Sequence, residues 1–517
     1  VSDSLKAKPG ISQVLLGIGS DDGREPQKVA VDLLRALAYL FKHSSLKVKI
    51  ARGLITDTGD ADRIRGLFSK ILEQVLAIGE SMQNVKPVHQ AAGDVLSGLF
   101  STLTTIDFLD TIEALLKRPD DALRRKVLNL LGTRLQQTPE RDGESQMRML
   151  DFLAVLVGIV KSSPDILLKH GAVTCIDRIT EKYGKKEPSK VTHAAQVVAS
   201  ASCIGQEDER IRINGVLCLA SMVEVLGQAI IPALPEVLNR SIGLLELSLE
   251  DGKINGRLHD AVFTLFSALF VHLPYMVSGS HLDRLLVLSF KSAVSEDVED
   301  ENRQEALRFM ARKVDMASTL ASIDRNWQQA VSAGPAATRE VLEAVSLSIE
   351  KHPKSATMKN LAVLSSILFR AFDLRREQVV LVSKSVFDVS DIEAIEDLFN
   401  DVTVKMIYKL NDTTFRPIFT KLVAWATGLP KKDTQSTLAR LTTFYRFLQV
   451  FFGTLQVLTH PFPFHIWPCT NKSSVHRNRL RKLHHRQRRV GSHNSQPLQP
   501  RHEIPLASHH AHAPKCL

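Results

Sequence analysis

The stretch GIGSDDG at 17–23 has the glycine density of a loop that cradles phosphate through backbone N–H groups. It fits neither G-x-G-x-x-G nor G-x-x-x-x-G-K-[ST], and no strand is predicted before it, so it reads as a plain turn. EDVEDE at 296–301 offers carboxylates to a cation, but it lacks the spaced ligands and glycine of an EF-hand and reads as a solvated loop. LRKLHHRQRR at 480–489 is a basic run of the kind that grips phosphates or directs nuclear import. SHHAHAP at 508–514 carries imidazoles that could hold a metal weakly. His170, His193, His259 and His272 have no Cys, Ser or carboxylate at a catalytic spacing and are expected to be structural. Arg124, Arg125 and Lys126 are the candidate interaction surface, weighed against the plainer reading of a charged face that keeps a helix soluble. No nucleophile motif, zincin helix or pair of catalytic acids occurs. The sequence therefore predicts no enzyme, no cofactor, no metal centre and no small-molecule substrate.

The elements that position these residues follow from composition. Hydrophobic residues make up 44% and charged residues 24%, as in a folded soluble protein, whereas aromatics are only 6%. Helices packed by Leu, Val, Ile and Ala fit that balance. The first residue is Val, not Met, which is expected of a piece of a longer chain. No unbroken apolar run reaches the roughly 18 residues of a membrane span, and no secretory signal is evident, so no membrane is predicted. Cys175, Cys203, Cys218, Cys469 and Cys516 include no C-x-x-C pair, which argues against disulfide staples and zinc and for a reducing compartment.

The net charge of +10 is local. Ten of the 66 Lys and Arg, but one of the 56 acidic residues, fall in 457–517. Residues 1–456 keep 56 bases against 55 acids, so charge gives no reason to read the body as a nucleic-acid binder. The segment 457–517 also holds seven of the 21 prolines and ten of the 18 histidines, with no helical period. It is predicted to be a disordered basic His-, Arg- and Pro-rich tail, and its foreign composition also fits a translated intron or shifted frame.

Before that tail the sequence repeats. FLDTIEALLKRP (108–119) and ALRRKVLNLLGTRL (122–135) form two amphipathic helices around an Asp turn. The same layout recurs with 147–160 and 166–179, 193–204 and 210–226, 230–249 and 257–273, and 281–294 and 303–314. The turn acids Asp121, Asp165, Asp208, Asp251 and Asp297 are 44, 43, 43 and 46 residues apart, the HEAT or armadillo period. In the second helix the stripe is Leu123, Val127, Leu130, Leu131 and Leu135, which neither helix of a pair can bury alone. The fold class is all-α: an α-solenoid of HEAT/armadillo-like helix pairs over 1–456, less regular before 88, followed by the tail.

NDTTFRPIFTKLVAWATG (411–428) predicts one more helix, capped by Thr413 or Thr414, with Pro417 in its first turn and Gly428 at its end. Phe415, Phe419 and Trp425 are expected to wedge against helices at 392–410 and 438–455. The string Thr414-Phe415-Arg416-Pro417, with Phe419, Lys421, Leu422 and Trp425, resembles a signature of the U3 small nucleolar RNA-associated protein 10 family. FLDTIEALLKRPDDALRRKVLNLLGTRL and LTTFYRF (441–447) are similar to further units of that family, and the likeness covers about residues 90–456. The resemblance implies a non-catalytic HEAT-repeat scaffold of the small-subunit processome in the nucleolus of the nucleus. It further implies other processome proteins, the U3 snoRNP and pre-rRNA as partners, met through the assembled particle, in the processing that yields 18S rRNA. A HEAT-type transport receptor or adaptor is the alternative, although such arrays tend to be acidic and this body is neutral.

Overall fold

The computed structural model describes residues 26–56, 58–82, 85–136, 141–249, 255–293, 301–382, 385–429 and 433–458. The 17–23 stretch, 296–300, Asp251, Cys469, Cys516, the two basic and His-rich runs and the tail from residue 459 lie outside them. Val1–Thr454 forms one compact unit; of a second, Leu455–Leu517, only the first four residues are described.

The described residues form helices and no strand. They begin with α1 (Pro26–Lys42), α2 (Ser44–Thr56), α3 (Thr58–Ser81) and α4 (Lys86–Phe100). Next come α5 (Thr105–Leu116) and α6 (Asp121–Gln136), then α7 (Gly143–Asp151), α8 (Leu153–Ser162) and α9 (Ile166–Tyr183). The array continues through α10 (Pro188–Val198), α11 (Glu209–Leu226), α12 (Leu234–Ser248), α13 (Gly256–His272), α14 (Ser280–Ser292) and α15 (Glu301–Lys313). It ends with α16 (Met316–Ala333), α17 (Pro335–Lys351), α18 (Lys354–Lys359), α19 (Leu361–Arg375), α20 (Val389–Tyr408), α21 (Asp412–Thr427) and α22 (Thr434–Leu458).

Two layers result. The helices α6, α9, α11, α13, α15, α17 and α20 each pack on the next, and α12, α14, α16 and α19 do the same alongside them. Each layer buries the stripe its neighbour cannot, which is why the unit is the helix pair and the period is about 40 residues. In α6 the buried stripe is Leu123, Val127, Leu128, Leu131 and Leu135, with Leu130 partly covered. The period also appears as ion pairs between successive steps. Arg148 meets Asp110 at 2.6 Å, Lys190 meets Asp151 at 2.6 Å, Arg284 meets Glu246 at 2.7 Å and Arg325 meets Asp283 at 2.8 Å.

The recurring turn acids have a local cause. Asp165 accepts from the Leu167 amide at 2.9 Å, and Asp208 accepts from the Arg210 and Ile211 amides at 2.9 and 3.2 Å. They satisfy the amides that a helix start leaves without partners. At the first turn the acid facing the Ala122 amide is Asp120, and Asp121 is already helical. Gly334, at φ 119°, joins α16 to α17, a conformation that a side chain would strain.

Three predicted boundaries move. The helix expected at 193–204 is α10, Pro188–Val198, and residues 199–205 form turns. The helix expected at 147–160 is divided at Phe152 into α7 and α8. The one expected from 230 begins as a 3₁₀ turn, Gly227–Ala233, because Gly227 has φ 50° and Pro232 lies inside it. The stretch Glu209–Ser248 is long and apolar enough to cross a membrane, although no single apolar run in it is unbroken. That 3₁₀ turn breaks it, half of its most apolar 18 residues are buried, and α11 lies between α9, α10 and α13, so its apolar character serves packing on several sides.

Candidate interaction module around the signature helix

The signature helix α21 starts earlier than its threonines suggest. Asn411 is the N-cap, accepting from the Thr414 amide at 3.0 Å, and Thr414 Oγ1 accepts from the Asn411 amide at 3.1 Å. This reciprocal capping box makes Thr414 the third helical residue, not the cap. Pro417 therefore lies in the second turn, inside the helix, where it cannot donate to the Thr413 carbonyl and its ring crowds that carbonyl. Gly428 does end the helix, but at φ −84°; its role is space, since a Cβ there would stand 2.6 Å from the Ala424 carbonyl oxygen.

The apolar face of α21 is only partly covered. Leu422 and Ala426 are buried, whereas Phe415, Ile418, Phe419 and Trp425 are half-buried. Phe415 and Phe419 lie against Phe451 of α22, with ring centroids 5.7 and 6.4 Å apart. Trp425 meets Phe372 of α19 at 5.7 Å. It therefore touches a helix that the sequence did not nominate. Phe372 also meets Phe399 of α20 at 4.7 Å and Phe447 of α22 at 5.5 Å, so one ring joins all four helices. Edge-to-face pairs of this kind add to area burial. The remaining signature residues face outward: Arg416 pairs with Asp412 at 3.1 Å, both largely exposed, and Lys421 is exposed.

Beneath the rings runs a charge network. Glu396, 1% exposed, accepts two hydrogen bonds from Arg375 at 2.8 and 2.7 Å and one from Thr443 at 2.6 Å. The Arg446 guanidinium lies 2.9 Å from the same carboxylate. Asp373 accepts from Arg376 and from Arg440, the latter at 2.7 Å. Burial works to raise the Asp373 carboxyl, but Arg376 and Arg440 outweigh it and hold it below the usual carboxylate range. Arg440 also sits over the Trp425 ring, 5.0 Å from its centroid, and donates to the Trp425 carbonyl at 3.1 Å. These charges fix four helices to one another.

The other candidates are dispersed. Arg124 pairs with Asp121 at 2.9 Å, Arg125 with Asp165 of the following step at 3.2 Å, and Lys126 lies 3.2 Å from His89 Nδ1. Arg124 and Arg125 are half-buried, so the cluster links neighbouring steps. His259 is fully buried beside Phe263, and His170, His193 and His272 lie on different helices. Cys175, Cys203 and Cys218 are buried free thiols; burial pushes the first two up to about 12. Among the described residues no group of three His, Cys, Asp or Glu side chains converges as a metal site would.

The sequence reading missed Glu396, Asp373, Arg375, Arg440 and Arg446. One signal was present: Ile392, Ile395, Glu396 and Phe399 step by three, one and three along one apolar stripe. A carboxylate in that position requires a buried partner.

The module coincides with a recognised domain. Residues 356–473 match the family described as BP28CT (NUC211) domain. The chain is 85% identical over 457 residues to the U3 small nucleolar RNA-associated protein 10 of Emericella nidulans, covering 88% of this chain and 25% of that protein. Its counterparts in Aspergillus niger and Coccidioides immitis are 75% and 53% identical over 459 and 460 residues, with the same coverages. The chain thus spans about a quarter of the length of the curated relatives it matches. Among solved structures it is similar to the karyopherin Kap121p bound to the SUMO protease Ulp1p, with TM-score 0.36, 12% identity, and coverage of 89% of this chain and 44% of that one. A designed armadillo repeat protein gives TM-score 0.34 and 15% identity, with 50% and 99% covered.

Proposed function

We propose that this chain, which belongs to the U3 small nucleolar RNA-associated protein 10 family, is a non-catalytic scaffold segment of the small-subunit processome. In this reading it works in the nucleolus, within the nucleus, and supports pre-rRNA transcription and the processing that yields 18S rRNA. The observation that carries the reading is 85% identity sustained over 457 residues, together with an architecture of stacked helix pairs. Stacked pairs present long faces to other proteins, and each step can be changed without refolding the rest. The body of the chain is nearly neutral, so contact with the U3 snoRNP and pre-rRNA runs mainly through the other processome proteins.

The test is recovery of RNA and protein from cells. A tagged full-length parent should co-purify U3 RNA and processome proteins, and its depletion should lower 18S rRNA relative to its precursors. Recovery of neither would overturn the reading. Salt-sensitive RNA binding by the purified chain, with a steep fall between low and physiological salt, would instead favour direct RNA contact.

A further inference from the structure

Charge in the body of the chain is nearly balanced as a whole but not locally. Helices α15, α17 and α20 stack in one layer and end together. One ring nitrogen of His352 lies 3.2 Å from the Val314 carbonyl, and Lys409 donates to the Ile349, Glu350 and His352 carbonyls, so the three ends are joined. Between the last turn of each helix and the third residue beyond it stand six cations, Arg312, Lys313, Lys351, Lys354, Lys405 and Lys409. Only two carboxylates, Asp315 and Glu350, accompany them. Asp315 is committed to capping α16, accepting from the Ser318 amide at 3.1 Å. Glu350 accepts from Lys351 at 2.7 Å. That bond, with Lys405 and Arg312 acting from the two neighbouring helices, holds its carboxyl below the usual range.

A single base at a helix end is explained by the helix dipole. The other helices of this layer need no more: α6, α9 and α13 have one base in the last turn and α11 has none. Here Arg312, Lys313 and Lys354 are exposed and have no carboxylate within ion-pair distance among the described residues. We propose that the joined ends of α15, α17 and α20 are a docking surface for an acidic, extended segment of another protein. Charge complementarity of this kind steers encounter and fixes register. Neighbouring helix axes stand about 8–10 Å apart, so three ends span about 20 Å, the reach of about six extended residues. Tyr408, 53% exposed on the last turn of α20, adds an amphipathic ring of the sort that anchors protein partners. Glu350 interrupts the cations at their centre. A polypeptide can set a neutral residue against it, whereas an RNA strand brings a phosphate with every nucleotide. The inference stands on charge placement and does not depend on the processome reading.

Lysine acetylation followed by mass spectrometry tests it residue by residue, which separates this surface from the basic segment at 457–517. The 517-residue chain is acetylated at physiological salt with and without an excess of a peptide of about ten alternating Asp and Glu residues. Lys313, Lys351 and Lys354 should react at least about fivefold more slowly with the peptide present, while the exposed Lys42, Lys70 and Lys161 change by less than about twofold. Arg312→Glu combined with Lys354→Glu should abolish the protection of Lys313 and leave the helical circular dichroism unchanged. Unprotected lysines at the joined ends would overturn the proposal, as would equal protection of the reference lysines or protection that survives the double substitution. Protection of the same lysines by oligouridylate at lower concentration than the peptide would overturn it too; RNA would then be the occupant.

Discussion

Arg375 donates twice to Glu396, at 2.8 and 2.7 Å, and neither side chain reaches far into solvent: Glu396 is 1% exposed and Arg375 12%. The pair ties α19 to α20, and Arg446 and Thr443 bring α22 to the same carboxylate. Desolvating two ions is costly, so the pair counts for more when broken than when present.

Removing one partner should therefore be severe. Glu396→Gln is expected to lower the stability of the α19–α22 region by about 3 kcal/mol, because the nearly buried Arg375 loses its main counter-charge, whereas the half-buried Arg446 keeps Asp397 and Glu393. Replacing both partners, as Arg375→Met with Glu396→Leu, should recover most of that loss. Urea denaturation followed by tryptophan fluorescence would measure both. A double substitution as damaging as the single one would argue against burial of the pair.

Trp425→Ala should cost about 2–3 kcal/mol. This is less than the roughly 3–5 of a fully enclosed ring, because Trp425 is half-buried against Phe372 and shares Arg440. A melting temperature unchanged from the parent would contradict the contact.

Asp177 gives a pH signature. Burial raises its carboxyl to about 6, with Glu181 adding to the effect and Ser221 and Arg178 opposing it. A carboxyl raised on folding contributes stability that is complete below the unfolded value near 4 and is lost as pH rises through about 6. Asp177→Asn should accordingly be more stable than the parent at pH 7.5 by about 1–3 kcal/mol, and the gap should close by pH 4. Paired denaturation curves at the two pH values decide it.

Gly215 lies where α11 crosses the turn before it. A Cβ would stand 2.6 Å from Ile204 Cγ2 and 2.9 Å from Cys203 Sγ, both fully buried. Gly215→Ala should cost about 1–3 kcal/mol through overpacking, despite alanine's better helix propensity. A variant as stable as the parent in chemical denaturation would show that the turn can yield.

Much of this fold can be read from residue order, because its cause is local. The helix predicted at 210–226 is Glu209–Leu226, and the acid before it is the cap. Helix α16 escaped notice although its amphipathic period is strong: Met316, Leu320, Ile323, Trp327 and Ala330 step by four, three, four and three along its buried face. The charge network is legible at one end only, in the Glu396 carboxylate on an apolar stripe; its partners lie 21, 47 and 67 residues apart and meet only once the helices stack. The cap of α21 was misplaced for a subtler reason. Asn411, Thr413 and Thr414 can all cap, and the reciprocal bonds between Asn411 and Thr414 set the helix start at Asp412.

The stacking of successive steps bears on how the molecule yields to tension. Because each helix pair packs on the next, a load applied at the ends would be carried in series and relieved locally, the partly exposed ion pairs of Arg148, Lys190, Arg284 and Arg325 adding little. Each rupture would release one step of about 40 residues, on the order of 140 Å of slack at full extension. The chain would lengthen under force in near-equal increments, like a zipper parting tooth by tooth.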